Sequence, residues 1–136
     1  MKILVTGGTG YIGSHTAVEL LNSGYEIVII DNFSNSKSDV LDKIKLITNK
    51  DFKFYEGDVC NKDLLKKIFS ENKIDAVIHF AGYKAVGESV KKPIMYYRNN
   101  IDSTLSLIEV MNEFNCKKIV FSSSATVYGN PTTLPI

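Results

Sequence analysis

The sequence predicts an α/β fold, a doubly wound parallel sheet that stops after its fifth strand. Three observations carry this. Short apolar runs alternate with segments of helical period along all 136 residues, which is the pattern of parallel strands joined by crossover helices. A glycine-rich turn stands between the first strand and the first helix. The second strand closes on Asp31, at the sheet end where open α/β folds gather their ligand contacts.

Residues 3–5 read as the first strand, which feeds the glycine turn of residues 7–13. The helix after it carries Ile12, Thr16, Ala17, Leu20 and Leu21 as its inner stripe. Gly24 is placed to end that helix, because glycine accepts the left-handed conformation without a Cβ clash. Residues 27–30 are wholly apolar and form a second strand, as expected for one covered on both faces. A polar loop, 31–38, leads to a helix with Val40, Leu41, Ile44 and Ile47 on one side.

In residues 52–55, Phe52 and Phe54 alternate with Lys53, the mark of an edge strand with one wetter face. The order 3-2-1-4-5 puts this third strand at an edge, so pattern and topology agree. Leu64, Leu65, Ile68 and Phe69 define the next helix, with Asn61 as its N-cap. Residues 76–80 form strand four. A helical region over 88–97 and a longer helix over 99–115 follow, then strand five at residues 119–121. After Ser124 the chain has a glycine, two prolines and no further periodicity. Natural domains seldom leave an apolar edge strand bare. Residues 1–136 are therefore expected to be part of one dinucleotide-binding domain in a longer protein.

Composition excludes several classes. Apolar residues make up 44% and charged residues 23%, the balance of an ordinary globular protein. With 16 basic and 15 acidic residues, there is no electrostatic footprint for nucleic acid or an anionic membrane. Cys60 and Cys116 lie far apart without metal-ligand spacing and read as reduced thiols. No apolar run has membrane length and no signal-peptide layout opens the chain, so a cytoplasmic location is expected.

The chemistry begins at Thr6-Gly-Gly-Thr-Gly-Tyr-Ile-Gly13. This reads as GxGxxG through Gly8, Gly10 and Gly13, or as GxxGxxG through Gly7, Gly10 and Gly13. Either way, absent side chains let the backbone turn sharply and approach a pyrophosphate at the helix N-terminus. Exposed N–H groups and the helix dipole favour anions there. A strand before it, a helix after it and Asp31, 18 residues beyond Gly13, give the context of a Rossmann-like dinucleotide site. The Asp31 carboxylate suits both ribose hydroxyls and repels a 2′-phosphate. No arginine occurs over 32–38 and Lys37 is the nearby cation, so the reading is NAD over NADP.

Asp58 follows strand three, and Phe80-Ala-Gly-Tyr-Lys84 follows strand four, both at carboxyl ends of strands. Asp58 reads equally well as a helix-capping carboxylate. His79, inside an apolar strand, reads as a core histidine, and His15 on the first helix is discounted likewise. Lys84 is placed to pair with a pyrophosphate. Ser122-Ser-Ser124 ends strand five at the rim of the same crevice. It either turns the chain or supplies a hydroxyl that bonds a reacting alcohol and passes a proton.

Taken with residues 6–16, Asp31-Asn-Phe-Ser-Asn-Ser36, the stretch His79 to Ser89 and the stretch Ser122 to Gly129 resemble the UDP-glucose 4-epimerases. Those belong to the extended short-chain dehydrogenase/reductase family. Lys84-Ala-Val-Gly-Glu-Ser89 and the Asp-Asn-x-x-Asn-Ser loop are the narrow signals; the glycine loop alone fits many relatives. The resemblance covers the whole chain and about two-fifths of such an enzyme. It implies that Gly7, Gly10, Tyr11, Ile12 and Gly13 line the NAD pyrophosphate, with Asp31, Asn32, Asn35 and Ser36 around the adenosine ribose. Asp58 and Val59 would face the adenine. Phe80, Ala81 and Lys84 would run along the pyrophosphate and nicotinamide side, and Asn99 would reach the cofactor. Ser124 would bind the sugar 4-hydroxyl.

The implied reaction interconverts UDP-glucose and UDP-galactose through a 4-keto sugar, by hydride transfer to and from NAD. Its base in the family is a tyrosine followed by a lysine four residues later. None of the tyrosines here has that lysine, so this chain alone is expected to be inactive and the longer parent an epimerase. The resemblance also implies a homodimer, with the helix over 99–115 as a candidate surface. Its Leu105, Ile108 and Met111 are explained as well by packing on the sheet. A nucleotide-sugar dehydratase or decarboxylase is the nearest alternative, although Ser124 stands where dehydratases usually carry threonine. A non-catalytic NAD-sensing module is a third.

Overall fold

The computed structural model describes residues 1–133, apart from the side chains at 125 and 126. Residues 134–136 of the expected aperiodic tail lie outside the described residues. Five strands, β1 (Lys2–Thr6), β2 (Glu26–Asp31), β3 (Lys53–Glu56), β4 (Ala76–His79) and β5 (Ile119–Phe121), pair in the order β3-β2-β1-β4-β5. Every pairing is parallel. This is the predicted Rossmann-like topology. Val5 at the centre lies beside Ile29 on one side and Ile78 on the other.

The period of two in the strands sends alternate residues into two separate cores. Ile3, Val5, Ile27 and Ile29 pack with Ala17 and Leu21 of α1 (Tyr11–Asn22) and Ile44 of α2 (Asp39–Thr48). Leu4, Val28, Ile30 and Val77 face the other way. They pack on Leu65 and Ile68 of α3 (Lys62–Glu71) and on Leu107 and Val110 of α6 (Ser103–Glu113). Both faces of the central strands are thus covered, which is why β2 is apolar without alternation. The outer strand β5 is bare, with Val120 61% exposed and Phe121 56%.

Four expectations need correction. Ile12 is not on the inner stripe of α1: it is 55% exposed, and Gly13, Ala17 and Leu21, four residues apart, hold the buried face. Ile47 is likewise exposed, while Thr48 is buried. Ile44 and Thr48 form that stripe, and the Thr48 hydroxyl is satisfied by donating to the Ile44 carbonyl at 2.8 Å. The helical region expected over 88–97 is two helices, α4 (Val86–Lys91) and α5 (Pro93–Tyr97). Pro93 has no N–H to continue α4 and pushes Lys92 out of the helical region, to φ −131° and ψ 56°.

The helix expected over 99–115 starts instead as one π-helical turn, Arg98–Asp102, before becoming α6. The Ser103 and Thr104 hydroxyls both donate to the Asn100 carbonyl, at 3.3 and 2.9 Å, and compete with the regular ladder there. At its far end Asn115 is left-handed, and the Cys116 N–H closes back on the Met111 carbonyl at 2.8 Å. Met111 packs inward, whereas Leu105 and Ile108 stay about half exposed. Gly24 (φ +84°) and the Asn61 cap, whose side chain accepts from the Leu64 N–H at 3.1 Å, are as predicted. Cys60 and Cys116 are free thiols. Among the described residues no helix is long and apolar enough to cross a membrane.

Candidate functional site

A cavity of about 650 Å³ opens at the carboxyl ends of β1, β2 and β4. Such a volume suits a cofactor-sized ligand. Its first wall is the glycine turn, with Gly7, Gly10, Tyr11, Ile12 and Gly13 on the lining. The two readings of the glycine motif are resolved here. Gly7 has φ +67°, and a Cβ on it would stand 2.8 Å from the Ala81 nitrogen. A Cβ on Gly13 would collide with the Gly7 carbonyl, so α1 rests directly on the turn. Gly8 instead faces the sheet, where a Cβ would meet Ile29 at 2.6 Å, and it lies off the cavity. The glycines on the cavity are therefore Gly7, Gly10 and Gly13. Gly10 caps α1 without any side-chain hydrogen bond, which leaves the first-turn N–H groups to the cavity.

The second wall carries Asp31, Asn32, Ser34 and Asn35. Asp31 is held by its neighbours: Oδ1 accepts from the Phe33 N–H at 3.0 Å and Oδ2 from the Thr9 N–H at 3.0 Å. This carboxylate joins the glycine turn to the loop after β2. Phe33 pays for the first of those bonds with a left-handed backbone, φ 54°. Ser36 does not line the cavity. Its hydroxyl lies 2.6 Å from that of Thr9 and donates to Asp31 at 3.4 Å, so it supports the aspartate from behind.

Beneath them lie Gly57, Asp58 and Val59. Asp58 does not cap a helix, since Asn61 takes that place at α3. It accepts from the Cys60 N–H at 2.8 Å within the loop, and it lines the cavity. The third wall is the loop after β4, with Phe80, Ala81, Gly82, Tyr83 and Lys84; Lys84 is the one cation lining the cavity among the described residues. The fourth is helical, with Glu88, Tyr96, Asn99 and Ser103.

The lining also includes Ile30, Ser34, Gly57, Gly82, Tyr83, Ala85, Glu88, Tyr96 and Ser103, to which sequence reasoning gave no site role. Tyr96 donates to Glu88 at 2.9 Å and its ring lies 5.4 Å from that of Tyr83. That bond, with Lys92 at 3.2 Å, holds the Glu88 carboxyl below its usual range. The angle at Lys92 and Pro93 sets this arrangement, and spacing along the chain does not reveal it. The motif around Glu88 was the available signal. Ser124 is not brought into the cavity. It follows β5, is exposed, and its carbonyl accepts from the Val127 N–H at 3.1 Å.

His79 sits under the cavity floor as a core residue, 1% exposed. Burial, and secondarily the Lys84 charge, lower its pKa to about 4, so the ring is neutral at physiological pH. Among the described residues no cluster of histidine, cysteine or carboxylate side chains could hold a metal ion.

The model of the NAD dependent epimerase/dehydratase family matches residues 3–136. The chain belongs to that family. It is 62% identical over 136 residues to a UDP-glucose 4-epimerase of Bacillus subtilis (strain 168), covering 100% of this chain and 40% of the relative. A UDP-glucose 4-epimerase of Haemophilus influenzae is 60% identical with the same coverage. Among solved structures, the UDP-glucose 4-epimerase of Bifidobacterium longum, in complex with NAD+ and UDP, superposes with a TM-score of 0.97 at 57% identity. That match covers 100% of this chain and 41% of the other. The chain thus spans about two-fifths of the length of the family members it matches.

Proposed function

We propose that residues 1–136 form the NAD-binding part of a nucleotide-sugar 4-epimerase that interconverts UDP-glucose and UDP-galactose. The observation that carries this reading is the cavity where the glycine turn, the Asp31 loop and the loop after β4 converge. The family membership and the epimerase relatives support it. The residues present fit a dinucleotide, because Gly7 and Gly13, where a Cβ would strike the backbone of Ala81 and of the turn itself, let the glycine turn fold tightly beside the cavity at the N-terminus of α1.

In this reading the first-turn N–H groups of α1 bind the pyrophosphate, and Lys84 adds charge to that grip. Asp31, with Asn32, Asn35 and Ser36 behind it, receives the adenosine ribose. Asp58 and Val59 face the adenine. Phe80, Ala81 and Asn99 bound the path toward the nicotinamide. When bound, NAD would accept the hydride from C4 of the sugar and return it to the 4-keto form, so that the cofactor ends unchanged. Ser124, which lies outside the cofactor cavity at the end of β5, is assigned to the sugar 4-hydroxyl by the resemblance alone. The proton of that hydroxyl needs a base, and no tyrosine in this chain has a lysine four residues on. The chain by itself is therefore read as inactive, and the parent as a homodimer.

Calorimetric titration of NAD and NADP into the chain tests the assignment. NAD is expected to bind more tightly by about tenfold or more, a difference of roughly 1.4 kcal/mol. Asp31→Ser narrows the gap, since it removes the charge that repels the 2′-phosphate. Tighter binding of NADP by the unaltered chain would overturn the reading of Asp31. An assay of the same preparation with UDP-galactose and added NAD is expected to give no UDP-glucose, and turnover would overturn the missing-base argument.

A further inference from the structure

Three walls of the cavity meet at one side chain that is not itself on the cavity. The His79 Nδ1 lies 2.6 Å from the Thr6 hydroxyl, at the root of the glycine turn. Its Nε2 lies 3.2 Å from the Thr104 hydroxyl, at the start of α6. The neighbouring bonds fix the direction of both contacts. Thr104 gives its only hydroxyl proton to the Asn100 carbonyl, at 2.9 Å. Its oxygen must then accept from His79, which places the ring proton on Nε2. Thr6 accepts from the Ala81 N–H at 3.3 Å, which leaves its own proton for the bare Nδ1.

The result is a directed chain in two arms. Ala81 N–H donates to Thr6, and Thr6 donates to His79. His79 donates to Thr104, and Thr104 donates to Asn100. The other tautomer would turn Thr104 away from Asn100 and leave the Thr6 proton without this acceptor. Asn100 extends the second arm. Its side chain accepts from the Tyr83 N–H at 2.8 Å and donates to the Tyr83 carbonyl at 3.0 Å. The loop after β4 is therefore gripped at Ala81 by one arm and at Tyr83 by the other. Ala81 is also the residue whose backbone a Cβ at Gly7 would strike. The Phe121 ring, 5.7 Å from the imidazole, and the charge of Lys84 complete its surroundings.

We propose that His79 is a positioning residue for the dinucleotide cavity. Fixed as its Nε2–H tautomer between Thr6 and Thr104, it locks the glycine turn, the loop after β4 and the start of α6 in one register. The part of this that concerns NAD affinity rests on the proposed function above; the part that concerns loop register does not.

The test therefore has two arms, each on the full 136-residue chain. In the first, without ligand, the ring nitrogens of ¹⁵N-labelled His79 are read by NMR at neutral pH. Amide exchange at Ala81 and Tyr83 is compared between the wild type, Thr104→Val and Thr104→Ser. The ring is expected to be protonated on Nε2 alone. Valine is nearly isosteric but takes away both an acceptor and a donor, so both amides should exchange faster by about tenfold or more, while serine keeps them near wild type. A proton on Nδ1, or unchanged exchange in Thr104→Val, would overturn the proposal. In the second arm NAD is titrated into the same three proteins. Thr104→Val should weaken binding by about tenfold, and serine should restore it. Equal affinities overturn the link from register to ligand. Failure of the wild type to bind NAD, with the first arm as expected, overturns the NAD reading and leaves the lock intact.

Discussion

The two sides of the cavity are built by different means. On the β1–β2 side short stretches of backbone set most of the constraints, joined by the bonds from Thr9 to Asp31 and Ser36. Gly7 is left-handed, Gly13 lies against the turn, and Asp31 accepts from Phe33 two residues away. On the β4–α6 side the constraints join residues distant in sequence. Thr6 and His79 are 73 positions apart, and His79 and Thr104 are 25 apart. Short motifs state most of the first kind of wall, and only the ties from Thr9 to Asp31 and Ser36 and the approach of Gly7 to Ala81 need the paired sheet. The second kind exists only once the sheet has paired β1 with β4 and α6 has packed across them. Perturbing the two sides should accordingly give different signatures.

The largest effect is expected in the turn. Gly7→Ala adds a left-handed strain of about 1–2 kcal/mol and a Cβ against the backbone of Ala81, which cannot swing aside as a side chain would. Gly24→Ala provides the contrast, since φ is +84° but nothing lies within 4 Å of the added atom. Urea unfolding should show Gly7→Ala losing roughly 3 kcal/mol or more and Gly24→Ala about 1 kcal/mol. Equal losses would mean that the close approach to Ala81 adds nothing to the left-handed strain.

Acid should act next, and on the opposite wall. The His79 pKa is about 4 in the fold, against a reference of 6.5. Between those values the unfolded chain binds the extra proton, so stability is fully present above about pH 6.5 and declines as pH falls toward 4. The shift corresponds to about 3 kcal/mol at most. Urea midpoints measured from neutral pH downward should fall, and His79→Gln should flatten that part of the curve. Carboxylates such as Glu88, whose pKa is lowered, titrate mainly below this window and appear in both proteins alike. A decline of the same size in His79→Gln would remove His79 from the account.

The order of strands, the glycine turn, the Asp31 loop and the Asn61 cap were legible because each follows from period, spacing or a backbone requirement. The errors share a cause too. Ile12 and Ile47 fall in helical register with their stripes, yet the next residues along, Gly13 and Thr48, take the buried face, and apolar identity alone does not decide between neighbours. The helical wall of Glu88, Tyr96 and Ser103 depends on the break at Pro93 and on the π turn that the Ser103 and Thr104 hydroxyls favour. His79 was legible as a core residue, but its partners were not. Ser124 was legible as the end of a strand, and the described structure leaves it outside the cavity.

The smallest expected effect reports on the same wall from its far side. Cys60 stands between the loop after β3 and the start of α6. Its Sγ leans on the Asn99 carbonyl at 3.9 Å, and its carbonyl accepts from the Ser106 hydroxyl at 3.5 Å. Burial first, then the hydrogen bond and charge of Asp58, push its thiol up to about 11 from an ordinary value of 9.0. The thiolate is the reactive form, so this shift cuts it by about a hundredfold at neutral pH, offset in part by its greater intrinsic nucleophilicity. Iodoacetamide should therefore modify Cys60 slowly compared with a free cysteine, as peptide mass mapping over time would record. If the lock at His79 governs where α6 begins, Thr104→Val should speed that reaction a few-fold. Gly7→Ala, at concentrations of urea where it remains folded, should leave it unchanged. Acceleration by both substitutions would mean that the two walls move together and are not held separately.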